Sequence, residues 1–133
     1  MANGELRQRI LIVEDGYLLS EQICDTLVKD GFAPVGPAAI LQQAPYLARS
    51  EPIDAAILDV RLADEALVFP VSDLLWACGI PFLFLTGSPE AALAQGMGAP
   101  VVSKPFDNAD LIAALRLLLA SAQSRKGAHA AIT

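Results

Sequence analysis

The stretch Ala55-Ala56-Ile57-Leu58-Asp59-Val60 reads as a strand buried on both faces, an apolar run with one carboxylate near its end. Arg9-Ile10-Leu11-Ile12-Val13 is a second such run, and it finishes in the acid pair Glu14-Asp15. Pro81-Phe82-Leu83-Phe84-Leu85 is a third and finishes in Thr86. Val101-Val102 is a minimal strand just before Lys104-Pro105-Phe106. Short buried strands ending in an acid pair, an acid, a hydroxyl and a lysine describe one site built from four strand ends. Ligands of open parallel sheets gather at that rim.

Between these runs the spacing changes to that of helices. Leu19, Ile23 and Leu27 recur every four residues and line one face of a helix that ends near Asp30-Gly31. Phe32 to Gly36 reads as a short second strand. A weak helix is expected over Leu41 to Ala48, where Pro45 disturbs the interior. A loop with Asp64 and Glu65 leads to a helix over Phe69 to Ala77. Another short helix is expected from Pro89 to Gln95, capped by Ser88 and closed by Gly96 and Gly98. The last helix starts near Asn108 and carries Leu111, Ile112, Leu115, Leu118 and Leu119 on one stripe. Beyond Ala122 the small and polar residues 123–133 are expected to form a mobile tail. Strands alternating with helices through short connections imply right-handed crossovers and a parallel sheet, an α/β fold.

The bulk numbers exclude several classes. At 133 residues the chain is the size of one domain. A hydrophobic fraction of 54% suits a sheet covered on both faces. The formal net charge of -6 disfavours a nucleic-acid binder, which needs clustered Lys and Arg; Arg125-Lys126 is a local basic pair expected in a solvated tail. No stretch approaches the roughly 20 apolar residues of a membrane span, and the opening residues do not resemble a signal peptide. A cytoplasmic protein that does not engage membranes is the expectation. Cys24 and Cys78 have no metal-ligand spacing and are expected to be buried, reduced thiols.

The acids carry the chemistry. Two like charges about 4 Å apart repel by about 4 kcal/mol at an effective dielectric of roughly 20, so Glu14, Asp15 and Asp59 at one rim call for a cation. All are hard oxygen donors without histidine or thiol, and Mg2+ is the natural occupant. Magnesium-bound carboxylates beside a lysine form a site for a phosphoryl group. Asp59, standing apart from the acid pair, is the candidate nucleophile toward phosphorus; Thr86 and Lys104 are candidates to contact phosphoryl oxygens.

With Ile10 to Asp15, Ala56 to Val60, Phe84 to Gly87 and Lys104-Pro105-Phe106 in this order, the sequence resembles a response regulator receiver domain of two-component signalling. The resemblance covers residues 5–122. It implies a flavodoxin-like (βα)5 fold with a central five-stranded parallel sheet, helices on both faces and strand order 2-1-3-4-5, an order general to this family. It also implies that Asp59 receives phosphate from a sensor histidine kinase or a histidine phosphotransfer protein. Glu14, Asp15 and Asp59 match the metal-binding acids and the backbone carbonyl of Arg61 the remaining protein ligand. Thr86 matches the switch hydroxyl, and Lys104 the phosphate-pairing lysine, which is usually followed by a cis proline as at Pro105.

Two features depart from the pattern. Val101 stands where the family usually has an aromatic residue that turns inward on switching. The segment from Thr86 to Lys104 is short and, with Phe84-Leu85-Thr86-Gly87-Ser88, resembles the subgroup with a Phe-Ala-Thr-Gly-Tyr motif. The expected function is therefore a stand-alone response regulator that signals by protein contact or onward phosphotransfer, not an enzyme in its own right. Switching is expected to reorder Gly87 to Gly98 and to change a protein-binding or self-association face running from Val101 to Ile112. The alternative is a phosphorylation-independent adaptor that keeps the fold. A related Mg2+-dependent phosphatase is disfavoured because Arg61, not a second acid, stands two residues after Asp59.

Overall fold

A computed structural model of the chain describes residues 7–14, 16–38, 52–60, 69–87 and 99–132, with 38 and 123–132 described by secondary structure alone. In chain order the elements are β1 (Arg9–Val13), α1 (Tyr17–Lys29), β2 (Ala33–Ala38), β3 (Ala55–Asp59), α2 (Phe69–Ala77), β4 (Phe82–Thr86), β5 (Val101–Ser103) and α3 (Asn108–Ile132). The strands form one parallel sheet in the order β2-β1-β3-β4-β5. This is the flavodoxin-like receiver arrangement expected from the sequence. The helices expected over Leu41 to Ala48 and Pro89 to Gln95, and the loop with Asp64 and Glu65, lie outside the described residues.

Side-chain alternation along the strands divides the core in two. Leu11, Val13, Ala56, Leu58, Phe82 and Phe84 pack with Val71 and Leu75 of α2 on one face. Ile10, Ile12, Ala55, Ile57, Leu83 and Leu85 pack on the other with Ile23 and Leu27 of α1 and the Leu111–Leu119 stripe of α3. β3 and β4 are buried at every position, the signature of central strands covered on both sides. β2 lies at the sheet edge, where its Pro34 and Pro37 are tolerated.

Turn chemistry sets where the helices stop. Gly31 takes a φ of 87°, and the Phe32 N–H reaches back to the Leu27 carbonyl at 2.9 Å, closing α1 and burying Phe32. Gly79, at a φ of 74°, closes α2 in the same manner, with the Ile80 N–H donating to the Leu75 carbonyl at 2.9 Å. The α1 and α3 helices are clasped at two places. Gln22 donates a 2.8 Å hydrogen bond to Asn108. Arg116 pairs with Asp30 at 3.5 Å and lies over the Phe32 ring, 5.1 Å from its centroid.

Two expectations change. The last helix does not stop at Ala122 but continues to Ile132, because residues 123–132 are largely good helix formers and Gly127 alone costs only about 1 kcal/mol. The cysteines are free, as expected, yet neither is fully buried: Cys24 is half-buried on α1, and Cys78 is exposed because α2 ends one residue before it. Burial pushes the Cys24 thiol above its usual pKa, and the neighbouring Asp25 and Glu21 carboxylates push it the same way. A raised thiol pKa means a smaller thiolate fraction at any pH below it. Iodoacetamide at about pH 8 should therefore modify Cys78 well before Cys24, as read by peptide mass spectrometry. Equal rates would contradict this placement.

Candidate functional site

Glu14 follows β1, and Asp59 closes β3, the neighbouring strand. The register pairs Val13 with Leu58, so the next residues, Glu14 and Asp59, emerge side by side at the carboxyl rim. By parity, Glu14 continues the row of Ile10 and Ile12, and Asp59 that of Ala55 and Ile57. Both acids therefore belong to the side of the sheet covered by α1 and α3. They are nearly buried, with 3% and 6% of their surface exposed. Burying two carboxylates together requires a compensating positive charge.

Lys104 supplies it. Its Nζ lies 3.3 Å from Glu14 Oε1 and 3.3 Å from Asp59 Oδ1. The lysine stands just past β5, two strands away from Asp59 in the sheet order. Its main-chain N–H donates to the Thr86 carbonyl at 2.8 Å, and Thr86 pairs in register with Ser103. The Lys104-Pro105 bond is cis, as the resemblance implied. Thr86 is buried at the end of β4, one residue after Leu85, the register partner of Asp59.

The second oxygen of Glu14 is also held. Oε2 accepts a 2.9 Å hydrogen bond from the Gly16 N–H at the start of α1. A Cβ at position 16 would lie 3.1 Å from that same oxygen, closer than such contacts usually come. Gly16 is thus a positioning residue for Glu14. Sequence reasoning missed this role; a glycine two residues after a strand-end acid was the available signal.

The structure thus brings Glu14, Asp59 and Lys104 together and sets Thr86 on the adjoining strand end. Asp15 and Arg61, the other expected metal ligands, lie outside the described residues. Among the described residues no group of three or more His, Cys, Asp or Glu side chains assembles. The donors that do converge are carboxylate oxygens sharing one cation, a set that fits a hard, oxygen-seeking divalent ion. Chemically, the rim offers a nucleophilic carboxylate, an ammonium for anionic oxygens and a buried hydroxyl next to it.

No family model matches the chain. The chain is 30% identical over 120 residues to the transcriptional regulatory protein PdtaR of Mycobacterium tuberculosis, an alignment covering 87% of this chain and 58% of PdtaR. It spans about half the length of the curated relatives it matches. Among solved structures, SdrG from Sphingomonas melonis is 37% identical, with a TM-score of 0.75 and coverage of 85% of this chain and 97% of SdrG. The REC domain of the response regulator PhyR from Erythrobacter litoralis is 28% identical, with a TM-score of 0.72 and coverage of 88% and 90%. PhyR from Bartonella quintana, an anti-anti-sigma factor, is 25% identical with a TM-score of 0.78, covering 94% of this chain and 52% of that one. Receiver-domain response regulators are signalling proteins and not enzymes in their own right. By its parallel sheet, its rim of Glu14, Asp59, Thr86 and Lys104, and these likenesses, the chain belongs to the response regulator receiver family of two-component signalling.

Proposed function

We propose that this response regulator is a phosphoacceptor, with Asp59 taking a phosphoryl group from a phosphohistidine of a sensor kinase or histidine phosphotransfer protein. The observation that carries this reading is the convergence of the buried Glu14 and Asp59 carboxylates on Lys104. An Asp59 oxygen attacks phosphorus as the phosphorus–nitrogen bond of the donor breaks, and the bonding pair departs with the imidazole. Lys104 neutralises a phosphoryl oxygen, and Thr86 donates a hydrogen bond to another. Glu14, Asp15, Asp59 and the Arg61 carbonyl would hold Mg2+. When bound, the ion supplies further charge neutralisation at the phosphoryl oxygens. Arg61, two residues beyond the acceptor, is placed by the sequence to influence attack by water.

The signal leaves by protein contact. The face from Val101 to Ile112 carries a groove of about 370 Å³ lined by Val102, Ser103, Pro105, Phe106, Asp107 and Asp110. Its acidic rim suits a protein partner or a second copy of the chain better than nucleic acid. The anti-anti-sigma activity of the Bartonella PhyR supports a protein target here as well. Among the described residues no helix is long and apolar enough to cross a membrane, and we assign the protein to the cytoplasm with its kinase. Phe84 to Ser88 further suggest the Phe-Ala-Thr-Gly-Tyr-motif subgroup. A second reading, an adaptor that works without phosphorylation, is favoured by one observation. Val101 packs half-buried against the core on the α2 side, where the family's usual aromatic residue would turn.

Two measurements test the first reading, and a third tests how firmly Glu14 is held. Incubation with acetyl phosphate and Mg2+ should add one phosphoryl group by intact mass, and none in Asp59→Ala; persistent modification of that variant would move the acceptor elsewhere. Asp15→Asn should weaken Mg2+ binding and phosphorylation together, since it removes one charge from a site that collects three. NMR suits this titration better than Trp76 fluorescence, because Trp76 is exposed at the end of α2 that leads into the start of β4, away from the rim. Unchanged affinity in Asp15→Asn would place the ion on other ligands. Gly16→Ala should crowd Glu14 Oε2 and replace a tolerated N-cap residue by a poor one, costing roughly 0.5–1 kcal/mol in urea unfolding. A neutral or stabilising result would mean that Glu14 is free to move.

A further inference from the structure

The segment that joins β5 to α3 is fastened at its two ends by bonds of different kinds. At its start the Lys104 N–H donates to the Thr86 carbonyl at 2.8 Å, a main-chain bond that extends the pairing of β4 and β5. At its end the hold is between side chains: Gln22 Nε2 of α1 donates to Asn108 Oδ1 at 2.8 Å, and both residues are open to solvent. Between these points Phe106 faces two ways. It is half-buried against the apolar cluster shared by α1 and α3, and it also lines the groove with Val102, Pro105 and Asp110.

We propose that the Gln22–Asn108 hydrogen bond is a latch on the groove. While it is made, Phe106 is held against the core beside α1; when another group takes up the Gln22 amide, the end of the segment loosens and the ring and the groove wall shift together. The distribution of restraints says which end yields. An exposed amide pair trades its bond for water at small cost, whereas the Lys104 end is part of the sheet ladder. The helices do not separate as a whole. About two turns further along α3, Arg116 pairs with Asp30 at 3.5 Å and lies over Phe32, so the far end of the helix pair acts as the hinge. The coupling is reciprocal: a group that loosens the groove by occupying Gln22 binds more tightly once the groove's own ligand has loosened the segment. This path joins α1 to the groove without passing through Asp59, so it stands or falls apart from the phosphoacceptor reading.

The test is amide hydrogen exchange and Phe106 ring NMR on the full, unphosphorylated chain and on Gln22→Ala, Asn108→Ala, the double variant and Arg116→Met. The Leu111 N–H, which donates to the Asp107 carbonyl at 3.1 Å, reports the first turn of α3. In Gln22→Ala, which leaves the α3 sequence untouched, its exchange should quicken by roughly two- to tenfold, the loss of one such bond. The Phe106 ring signals should shift with it, while the Lys104 N–H and the β3 amides keep their parent rates. Gln22→Ala should add nothing further in an Asn108→Ala background. Arg116→Met should quicken the Phe32 N–H and leave Leu111 and the Phe106 ring unchanged. An unchanged Leu111 rate or Phe106 ring in Gln22→Ala would overturn the latch. So would an additive effect in the double variant, the same response in Arg116→Met, or a uniform rise that includes the β3 amides.

Discussion

Two buried carboxylates held by one partly exposed ammonium are the constraint around which this rim is organised. Glu14 and Asp59 reach the same point because parallel neighbours in register deliver successive strand ends side by side. Without a cation that placement is unfavourable, since a buried charge stripped of its partner commonly costs about 3–5 kcal/mol. The partial exposure of Lys104 reduces the figure here, though not the need for a counter-charge. From Lys104 the arrangement spreads outward. Its main chain ties β5 to the end of β4, a cis proline turns the chain, and α3 begins at Asn108, which accepts a hydrogen bond from Gln22 of α1.

The rest of the fold serves as a stiff support for that cluster. The two central strands are buried along their whole length, and α1 and α3 share the apolar face from which the acids emerge. Arg116 fastens the far end of the same helix pair, through Asp30 and the face of Phe32. A disturbance at Lys104 therefore meets a rigid sheet on one side. On the other side lies the short segment from Ser103 to Asn108, which also lines the groove assigned to a protein partner. A close-packed core resists displacement, so any movement of Lys104 would be taken up first by that segment.

Much of this was legible in the sequence for a physical reason. Strands buried on both faces appear as continuous apolar runs, so β1, β3 and β4 and their terminal acids and hydroxyl stood out. The Leu19-Ile23-Leu27 and Leu111–Leu119 stripes revealed the faces of α1 and α3. Pairings between side chains distant in sequence were not legible. Lys104 reads as a phosphoryl contact, and nothing in one dimension joins it to Glu14 or joins Gln22 to Asn108. Gly16 looks like punctuation until its N–H is seen to hold a carboxylate. The end of α3 is not legible in the sequence because small and polar residues also make good helix when a long amphipathic segment precedes them. The exposure of Cys78 is not legible either, because exposure at a helix terminus depends on where the helix stops, and such boundaries carry the weakest sequence signal.

The central claim is that chemistry at Asp59 is felt through Lys104 by the segment leading into α3. Amide chemical shifts recorded with and without a beryllofluoride mimic of the phosphoryl group, in the presence of Mg2+, test it most directly. The account predicts coherent shifts at Asp59, at Thr86 and Lys104, and along Ser103 to Asn108 as far as Gln22 of α1. Shifts confined to the ends of β1 and β3, with Ser103 to Asn108 and Gln22 unchanged, would contradict it.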